Sequence, residues 1–205
     1  MNFIREILRT LERDGLLLES DPGLPSIASI IAGEPIRGSW WGHKAGKVIY
    51  NTCETLIDRG DILRLKLLNG KVTYVHSSLW PELVKVATSK APWQMDGLSP
   101  SARKLLKSVE KSSRVRADEA PAGLAAQDAR AAAKELESRL LVLSCSVHTD
   151  SGAHVKALQS WDSWMSQVGI QAKSTEMDTA YAAIEGAARK IGVEPRKRAL
   201  PWTWM

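Results

Sequence analysis

Two adjacent tryptophans and a histidine form the most distinctive cluster of chemically capable side chains in the sequence. Trp40 and Trp41 are followed by Gly42 and His43 in a turn-like segment. An aromatic surface beside a proton donor could stack on a nucleic-acid base and hydrogen-bond to it. Because tryptophan is usually mostly buried, the same residues could instead fasten a helix to a sheet. Both interpretations stay open, and Trp40, Trp41 and His43 are candidates for an aromatic platform.

Three groups of cationic side chains could contact the phosphates of a nucleic acid. One group lies on a predicted hairpin, one on a predicted helix and one at the end of the chain. Their members are Arg64, Lys66 and Lys71; Arg130, Lys134 and Arg139; and Arg196, Lys197 and Arg198. The helix also carries Glu135 and Glu137, which we expect to be solvated. Each group could equally be an ordinary solvated surface, since charged residues are mostly exposed.

The net charge does not by itself indicate a nucleic-acid ligand. The chain holds 28 Lys and Arg against 23 Asp and Glu, which gives +5, and its pI is about 9.3. Residues 189–205 hold five of those cations and one of the anions, so the rest of the chain carries only +1. The basic tail can supply long-range attraction to a polyanion, whereas specificity requires cations on folded elements.

Sequence motifs of the common metal-dependent and nucleotide-dependent enzymes are absent. There is no Cys-x-x-Cys, His-Glu-x-x-His, phosphate loop, Gly-x-Ser-x-Gly or dinucleotide fingerprint. Cys145, His148 and His154 surround one predicted turn, but strand alternation directs Cys145 and His148 to opposite faces. We therefore predict no metal site and no cofactor, and we expect a protein that is not an enzyme.

The composition is typical of a globular protein that stays in the cytoplasm. Hydrophobic residues make up 44% of the chain and charged residues 25%, close to the globular average. Two cysteines do not make a disulfide framework, which favours a reducing compartment. No run of 18 apolar residues occurs, so we expect no membrane span.

Residues 1–92 are predicted to be helical apart from one hairpin, with a longer helix over about residues 44–59. Asn69-Gly70 between two alternating runs predicts a two-residue type I′ turn. In that register Leu65 lies opposite Tyr74 on the core face, and the outer face carries cations without any anion.

Residues 93–194 form the second predicted half. They open with Ser99-Pro100, an N-cap followed by a proline at the first helical position. A short extended segment follows, then a helix over residues 128–139 and a second hairpin. Residues 195–205 are a basic, tryptophan-containing tail.

The order of predicted elements in residues 99–158 resembles that of a winged helix, a variant of the helix-turn-helix. These residues run helix, short strand, short helix, longer helix, hairpin, and residues 133–142 are similar to a recognition helix that leads into the first wing strand. Residues 44–76 resemble the recognition helix and wing of a second copy. The resemblance implies a mainly α fold with small β-hairpins (α+β) and a tandem winged-helix-like architecture.

A tandem winged-helix chain is also similar to the bacterial DNA glycosylases that unhook interstrand crosslinks. Those enzymes use a Gln-x-Gln motif to position the hydrolytic water. No two glutamines of this chain are two residues apart; they are Gln94, Gln127, Gln159, Gln167 and Gln171. The resemblance therefore implies a related DNA-binding protein that lacks the hydrolytic activity of those enzymes.

The function that this resemblance implies is recognition of double-stranded DNA, in regulation or repair. A recognition helix lies in the major groove while the wing contacts the backbone. Arg130, Lys134 and Arg139 would then face the groove, and the hairpin and tail cations would face phosphates. Two alternatives stay open: a protein–protein interaction module built on winged helices, and a divergent DNA-glycosylase-like protein.

Overall fold

The computed structural model describes residues 3–116, 123–148, 154–171, 175–195 and 198–204. Within these residues the chain is mainly helical with two small antiparallel sheets, which confirms the mainly α, α+β class. No helix of the described residues has the length and apolar character that a membrane crossing needs.

The helices and strands of the described residues have the following bounds. The helices are α1 (Phe3–Asp14), α2 (Ile27–Ala32), α3 (Gly46–Asp58), α4 (Trp80–Ala87), α5 (Pro92–Met95), α6 (Pro100–Ser112), α7 (Ala126–Ser138), α8 (Trp161–Val168) and α9 (Met177–Lys190). The strands are β1 (Leu16–Leu18), β2 (Ile62–Lys66), β3 (Val72–His76), β4 (Arg114–Arg116), β5 (Leu143–His148) and β6 (His154–Gln159).

Two compact units divide the chain, and their boundaries differ from those expected from the sequence. The first unit comprises residues 1–83 together with 173–204, and the second comprises residues 84–172. The expected boundaries after residues 92 and 194 do not coincide with this division. The physical reason is that α9 packs with α1, so the last helix joins the first unit.

The core of the first unit lies between its first three helices and a sheet of strand order β1-β3-β2. Ile7 and Leu11 of α1, Ile49 and Leu56 of α3 and Tyr74 of β3 are fully buried in it. Ile7 and Leu11 are four residues apart and Ile49 and Leu56 are seven apart, so each pair lies on one apolar face of its helix. The central strand β3 pairs with both β1 and β2. The sheet therefore joins the segment after α1 to the hairpin that follows α3.

The second unit builds its core from α6, α7 and a sheet of order β4-β6-β5. The predicted start of α6 is confirmed, because the Ser99 hydroxyl accepts a hydrogen bond from the Ala102 amide at 3.1 Å and Pro100 follows at the first helical position. Leu105 of α6 and Leu136 of α7 are buried in this core, between the two helices and the sheet.

The hairpin at Asn69-Gly70 has the predicted turn but not the predicted register. Both turn residues have positive φ, 52° and 67°, and the Lys71 amide donates to the Leu68 carbonyl at 2.8 Å. The strands, however, pair Arg64 with Tyr74, one residue away from the expected pairing of Leu65 with Tyr74. The expected register is therefore wrong by one residue.

A β-bulge beside the turn causes this shift. Leu67, not Leu68, donates its amide to the Lys71 carbonyl, at 3.2 Å, so two residues of one strand oppose one residue of the other. Both leucines are fully buried as a result, although alternation placed Leu68 on the outer face. The turn is also covered: the Asn69 amide donates to the Ala199 carbonyl at 2.7 Å.

Candidate nucleic-acid interface

The cations of the first hairpin face carboxylates, so the expectation of an outer face without anions is wrong. Lys71 Nζ lies 2.6 Å from Asp21 Oδ2. Arg64 Nε lies 3.7 Å from Glu19 Oε2, and its Nη1 lies 4.0 Å from Glu54 Oε1. These acids come from the segment after β1 and from α3, which strand alternation within the hairpin cannot reveal. The hairpin is therefore largely neutralised by its own neighbours.

The chain terminus packs onto the first unit. Leu200 is fully buried, the Trp202 indole donates to Glu185 at 3.1 Å, and its ring lies 5.0 Å from that of Tyr181. Of the predicted tail cations, Arg198 is exposed, whereas Arg196 and Lys197 lie outside the described residues. Lys66 on the hairpin is exposed as well.

Helix α7 presents two cations of the predicted site to solvent. Arg130 and Lys134 lie one helical turn apart and are both exposed, as are Gln127 and Ala131 on the same face. The spacing of these four residues is i, i+3, i+4, i+7, which is one continuous stripe. Asp128 is exposed in the first turn of the helix. The stripe itself thus consists of two cations, one neutral polar side chain and one alanine, and Asp128 lies outside it.

The acids predicted to be solvated on α7 are instead engaged in the second unit. Glu135 accepts hydrogen bonds from the Ser99 amide at 3.1 Å and from its hydroxyl at 2.7 Å. Glu137 is buried and forms an ion pair with Lys156 of β6. The prediction that these carboxylates are solvated is therefore wrong, because α7 turns that side toward α6 and the sheet.

Arg139 also points into the second unit. Its Nη1 donates to three main-chain carbonyls, those of Trp93 at 3.2 Å, Gln94 at 3.1 Å and Asp96 at 2.6 Å. Its Nη2 lies 3.8 Å from Glu135. Only 24% of its side chain is exposed. Unlike Arg130, it thus holds the segment around α5 against the end of α7.

The two adjacent tryptophans have opposite environments. Trp40 is buried, whereas Trp41 is 68% exposed, and the rings stack with centroids 4.3 Å apart and planes inclined by 19°. Gly46 at the start of α3 lets this turn approach closely, because a Cβ there would lie 3.0 Å from the carbonyl oxygens of Trp40 and Trp41. Trp40 therefore packs in the core of the first unit, whereas Trp41 presents an aromatic ring to solvent.

His43 fixes the end of the tryptophan turn. Its Nδ1 accepts a hydrogen bond from the Ala45 amide at 3.2 Å, which leaves the proton of the neutral ring on Nε2. That nitrogen lies 4.0 Å from Glu34 Oε1. His43 therefore contributes to the shape of the turn.

A buried polar cluster that the sequence did not indicate lies under the first hairpin. The Tyr74 hydroxyl donates to Glu19 Oε2 at 3.2 Å. Burial, together with the adjacent Cys53, raises the pKa of Tyr74 well above its usual range, and burial raises the pKa of the Cys53 thiol to about 11. Both groups therefore stay protonated at neutral pH and act as hydrogen-bonding core residues. Sequence alone could not indicate this cluster, because Glu19 comes beside Tyr74 only when β1 pairs with β3.

Two of the chain's glutamines have structural roles. Gln94 and Gln159 are buried, and Gln159 binds the side chains of Ser163 and Gln167 at 3.2 and 2.9 Å. Among the described residues, no three His, Cys, Asp or Glu side chains are grouped so that they could hold a metal ion. No protein-family model, curated protein or solved structure matches the chain.

Proposed function

We propose that this protein binds double-stranded DNA without chemically altering it, using winged-helix-like units. The exposed stripe of Arg130 and Lys134 on α7 is the observation that carries the proposal. A helix of this kind can enter the major groove, where Arg and Lys meet phosphates and guanine edges. Ala131 between them keeps the stripe narrow enough for close approach to the bases.

The order of elements in each unit supports the winged-helix assignment. In the first unit, α1, β1, α2, α3 and the β2–β3 hairpin follow one another, and the first strand pairs with the last. In the second unit, α6, β4, α7 and the β5–β6 hairpin follow one another, and β4 pairs with β6. The short helix expected before α7 lies mostly outside the described residues. A helix followed directly by a hairpin is the arrangement in which a winged helix places its recognition helix and wing.

The charge distribution supports α7, more than the first hairpin, as the DNA-binding element. The hairpin cations Arg64 and Lys71 are paired with carboxylates, and the hairpin turn is covered by the chain terminus. By sequence, residues 84–172 hold twelve Lys and Arg against nine Asp and Glu, and the inward acids Glu135 and Glu137 are paired with Arg139 and Lys156 and not with the cations of the exposed stripe. Lys66 and Arg198 can add sequence-independent attraction.

Fluorescence anisotropy with a labelled duplex at two salt concentrations tests the proposal. The affinity of the wild-type protein should fall steeply with salt, because phosphate contacts release counterions. The double variant Arg130→Glu, Lys134→Glu should lower the slope of log K against log salt by about two and weaken binding by at least about tenfold. It should also reduce any preference between duplex sequences.

Arg5→Glu, Arg9→Glu is a matched control, since these two exposed cations have the same i, i+4 spacing on α1. It makes the same change in net charge as the α7 double variant. If α7 is the binding element, the control should alter DNA affinity much less. Equal losses in the two double variants would mean that only net charge matters. Binding that is indifferent to salt and to both variants would favour the protein-interaction module instead.

A further inference from the structure

We infer that the surface formed by Trp41 and the outer side of α3 binds an unpaired DNA base together with its flanking phosphates. The protein would then prefer DNA that contains a single-stranded end or gap over a fully paired duplex. The inference rests on the proposed DNA-binding function for its class of ligand, but it concerns a different surface, located in the first unit.

Trp41 is exposed and at the same time held in place. One ring face lies on the buried Trp40 at a centroid distance of 4.3 Å, and the turn is anchored against Gly46 and by the His43–Ala45 hydrogen bond. Leaving 68% of a tryptophan in water forgoes a large amount of apolar burial. A rigid, exposed aromatic ring of this kind is a preorganised stacking surface.

The ring has an aromatic neighbour on α3. Tyr50 lies with its ring centroid 5.7 Å from that of Trp41 and its plane inclined by 42°, and it is 40% exposed. The inclined rings of Trp41 and Tyr50 therefore offer a bent aromatic surface of the size that a single base can contact.

The charge around this aromatic surface favours a polyanion. Arg37, Lys44 and Lys47 lie close to the ring in sequence, together with His43. All three cations are exposed. Two acids border this surface: Glu34 lies 4.0 Å from His43, and Glu54 of α3 lies 4.0 Å from Arg64. Lys47 lies one turn before Tyr50 and Asn51 on α3, so its charge is on the same side as the aromatic ring. Cations that flank a stacking ring are the usual arrangement for binding single-stranded nucleic acid.

An unpaired base fits this surface better than a paired one. Stacking requires a free π-face, which a base inside a duplex does not offer to a side chain. A protein partner could also cover Trp41 and Tyr50, but the three exposed cations, Arg37, Lys44 and Lys47, would then have to be matched by acids of that partner. We therefore assign the surface to nucleic acid.

The experiment compares a blunt labelled duplex with the same duplex carrying a five-nucleotide single-stranded overhang, both titrated with the full chain. The wild-type protein should bind the overhang substrate at least about fivefold more tightly, since one stacked base is worth that much or more. Trp41→Ala should bring this ratio close to one and leave the blunt-duplex affinity unchanged. Trp41→Phe should keep most of the ratio.

Trp204→Ala is the matched control, because Trp204 is another exposed tryptophan and its loss should leave the ratio intact. Arg130→Glu, Lys134→Glu should weaken both substrates together and leave the ratio intact. A wild-type ratio of one, or a ratio that survives Trp41→Ala, overturns the inference while leaving the duplex proposal standing.

Tight binding of the overhang substrate without measurable binding of the blunt duplex would overturn the duplex proposal and leave this inference standing. Failure to bind either substrate overturns both. If Trp41→Ala keeps the ratio but converts a self-associating protein into a monomer in light scattering, the surface is a protein interface and the inference is wrong.

Discussion

Gln94 and Arg139 each hydrogen-bond to the other's main-chain carbonyl. Gln94 Nε2 donates to the Arg139 carbonyl at 3.1 Å, and Arg139 Nη1 donates to the Gln94 carbonyl at 3.1 Å. Gln94 is fully buried, and its second amide hydrogen reaches the Ala87 carbonyl at 2.9 Å. This reciprocal pair joins the segment around α5 to the end of α7 and so fixes the helix that carries Arg130.

Gln94→Leu should lower the free energy of unfolding by about 2–4 kcal/mol, because it leaves buried carbonyls without a donor. Gln127→Leu, at an exposed glutamine of α7, should change it by about 0.5 kcal/mol or less. Urea unfolding measures both. A double-mutant cycle with Arg139→Met should give a coupling of at least about 0.5 kcal/mol, and additive effects would show that the two side chains act independently.

Gly70→Ala should destabilise the protein by about 1–2 kcal/mol, because the alanine would be forced to a φ of 67°. No atom lies within 4 Å of a Cβ built on Gly70, so the cost comes from the backbone alone. Gly42→Ala is the matched control, since its surroundings are equally open and its φ is not positive. Equal effects of the two substitutions on the urea midpoint would contradict this explanation.

Gly186→Ala should stabilise the protein by about 0.5–1 kcal/mol. Gly186 lies inside α9 with nothing within 4 Å of the added Cβ, and alanine loses less conformational entropy in a helix than glycine does. Gly192→Ala should have the opposite sign, since Gly192 follows the helix at a φ of 85°. Thermal unfolding of the two variants gives the comparison, and a lowered midpoint for Gly186→Ala would disprove the expectation.

The contribution of Asp21 to stability should disappear at acid pH. Burial would raise the pKa of Asp21, but the hydrogen bonds from Lys71 and from the Gly23 and Leu24 amides outweigh it and hold that pKa below its usual value. A carboxyl group with a lowered native pKa stabilises the fold above its unfolded pKa of about 3.9, and this stabilisation is lost as pH falls through the native value.

Asp21→Asn should therefore cost about 1–3 kcal/mol near pH 7, and its difference from wild type should shrink progressively below about pH 4. Urea unfolding of both proteins between pH 7 and pH 2.5 measures this. A difference that stays constant over the whole range would show that the ionised carboxylate is not the stabilising species.

Cys53 should resist alkylation in the folded protein. Its thiol is buried and has a pKa of about 11, so little reactive thiolate is present at pH 8. In a Cys145→Ser background, iodoacetamide at pH 8 should label Cys53 only after urea is added, as mass spectrometry would show. Rapid labelling of the native protein would mean that α3 opens readily from the sheet.

The sequence determined the features that depend on neighbours along the chain. Ser99-Pro100 starts α6 as predicted, because an N-cap and a proline at the first helical position act within one turn. Asn69 and Gly70 adopt the left-handed conformations of the predicted turn, because that preference belongs to the two residues themselves. The exposed pair Arg130 and Lys134 likewise follows from helical spacing alone.

Tertiary structure decided which of the predicted site residues reach solvent. Alternation could not show that Asp21 and Glu19 would meet Lys71 and Arg64, because these acids are about 50 residues away in sequence. Nor could it show that Leu67 and Leu68 would both turn inward, because strict alternation assumes that no β-bulge interrupts the pairing of the two strands.

The same limit applies to charge and to the tryptophans. Arg139 and Arg130 are nine residues apart, which puts them on opposite sides of α7, but periodicity could not show that carbonyls around α5 would lie within reach of Arg139. Trp40 and Trp41 are adjacent and chemically identical, yet Trp40 is buried in the core of the first unit and Trp41 is exposed. A side chain's environment depends on which distant segments pack beside it, and local periodicity carries no information about those segments.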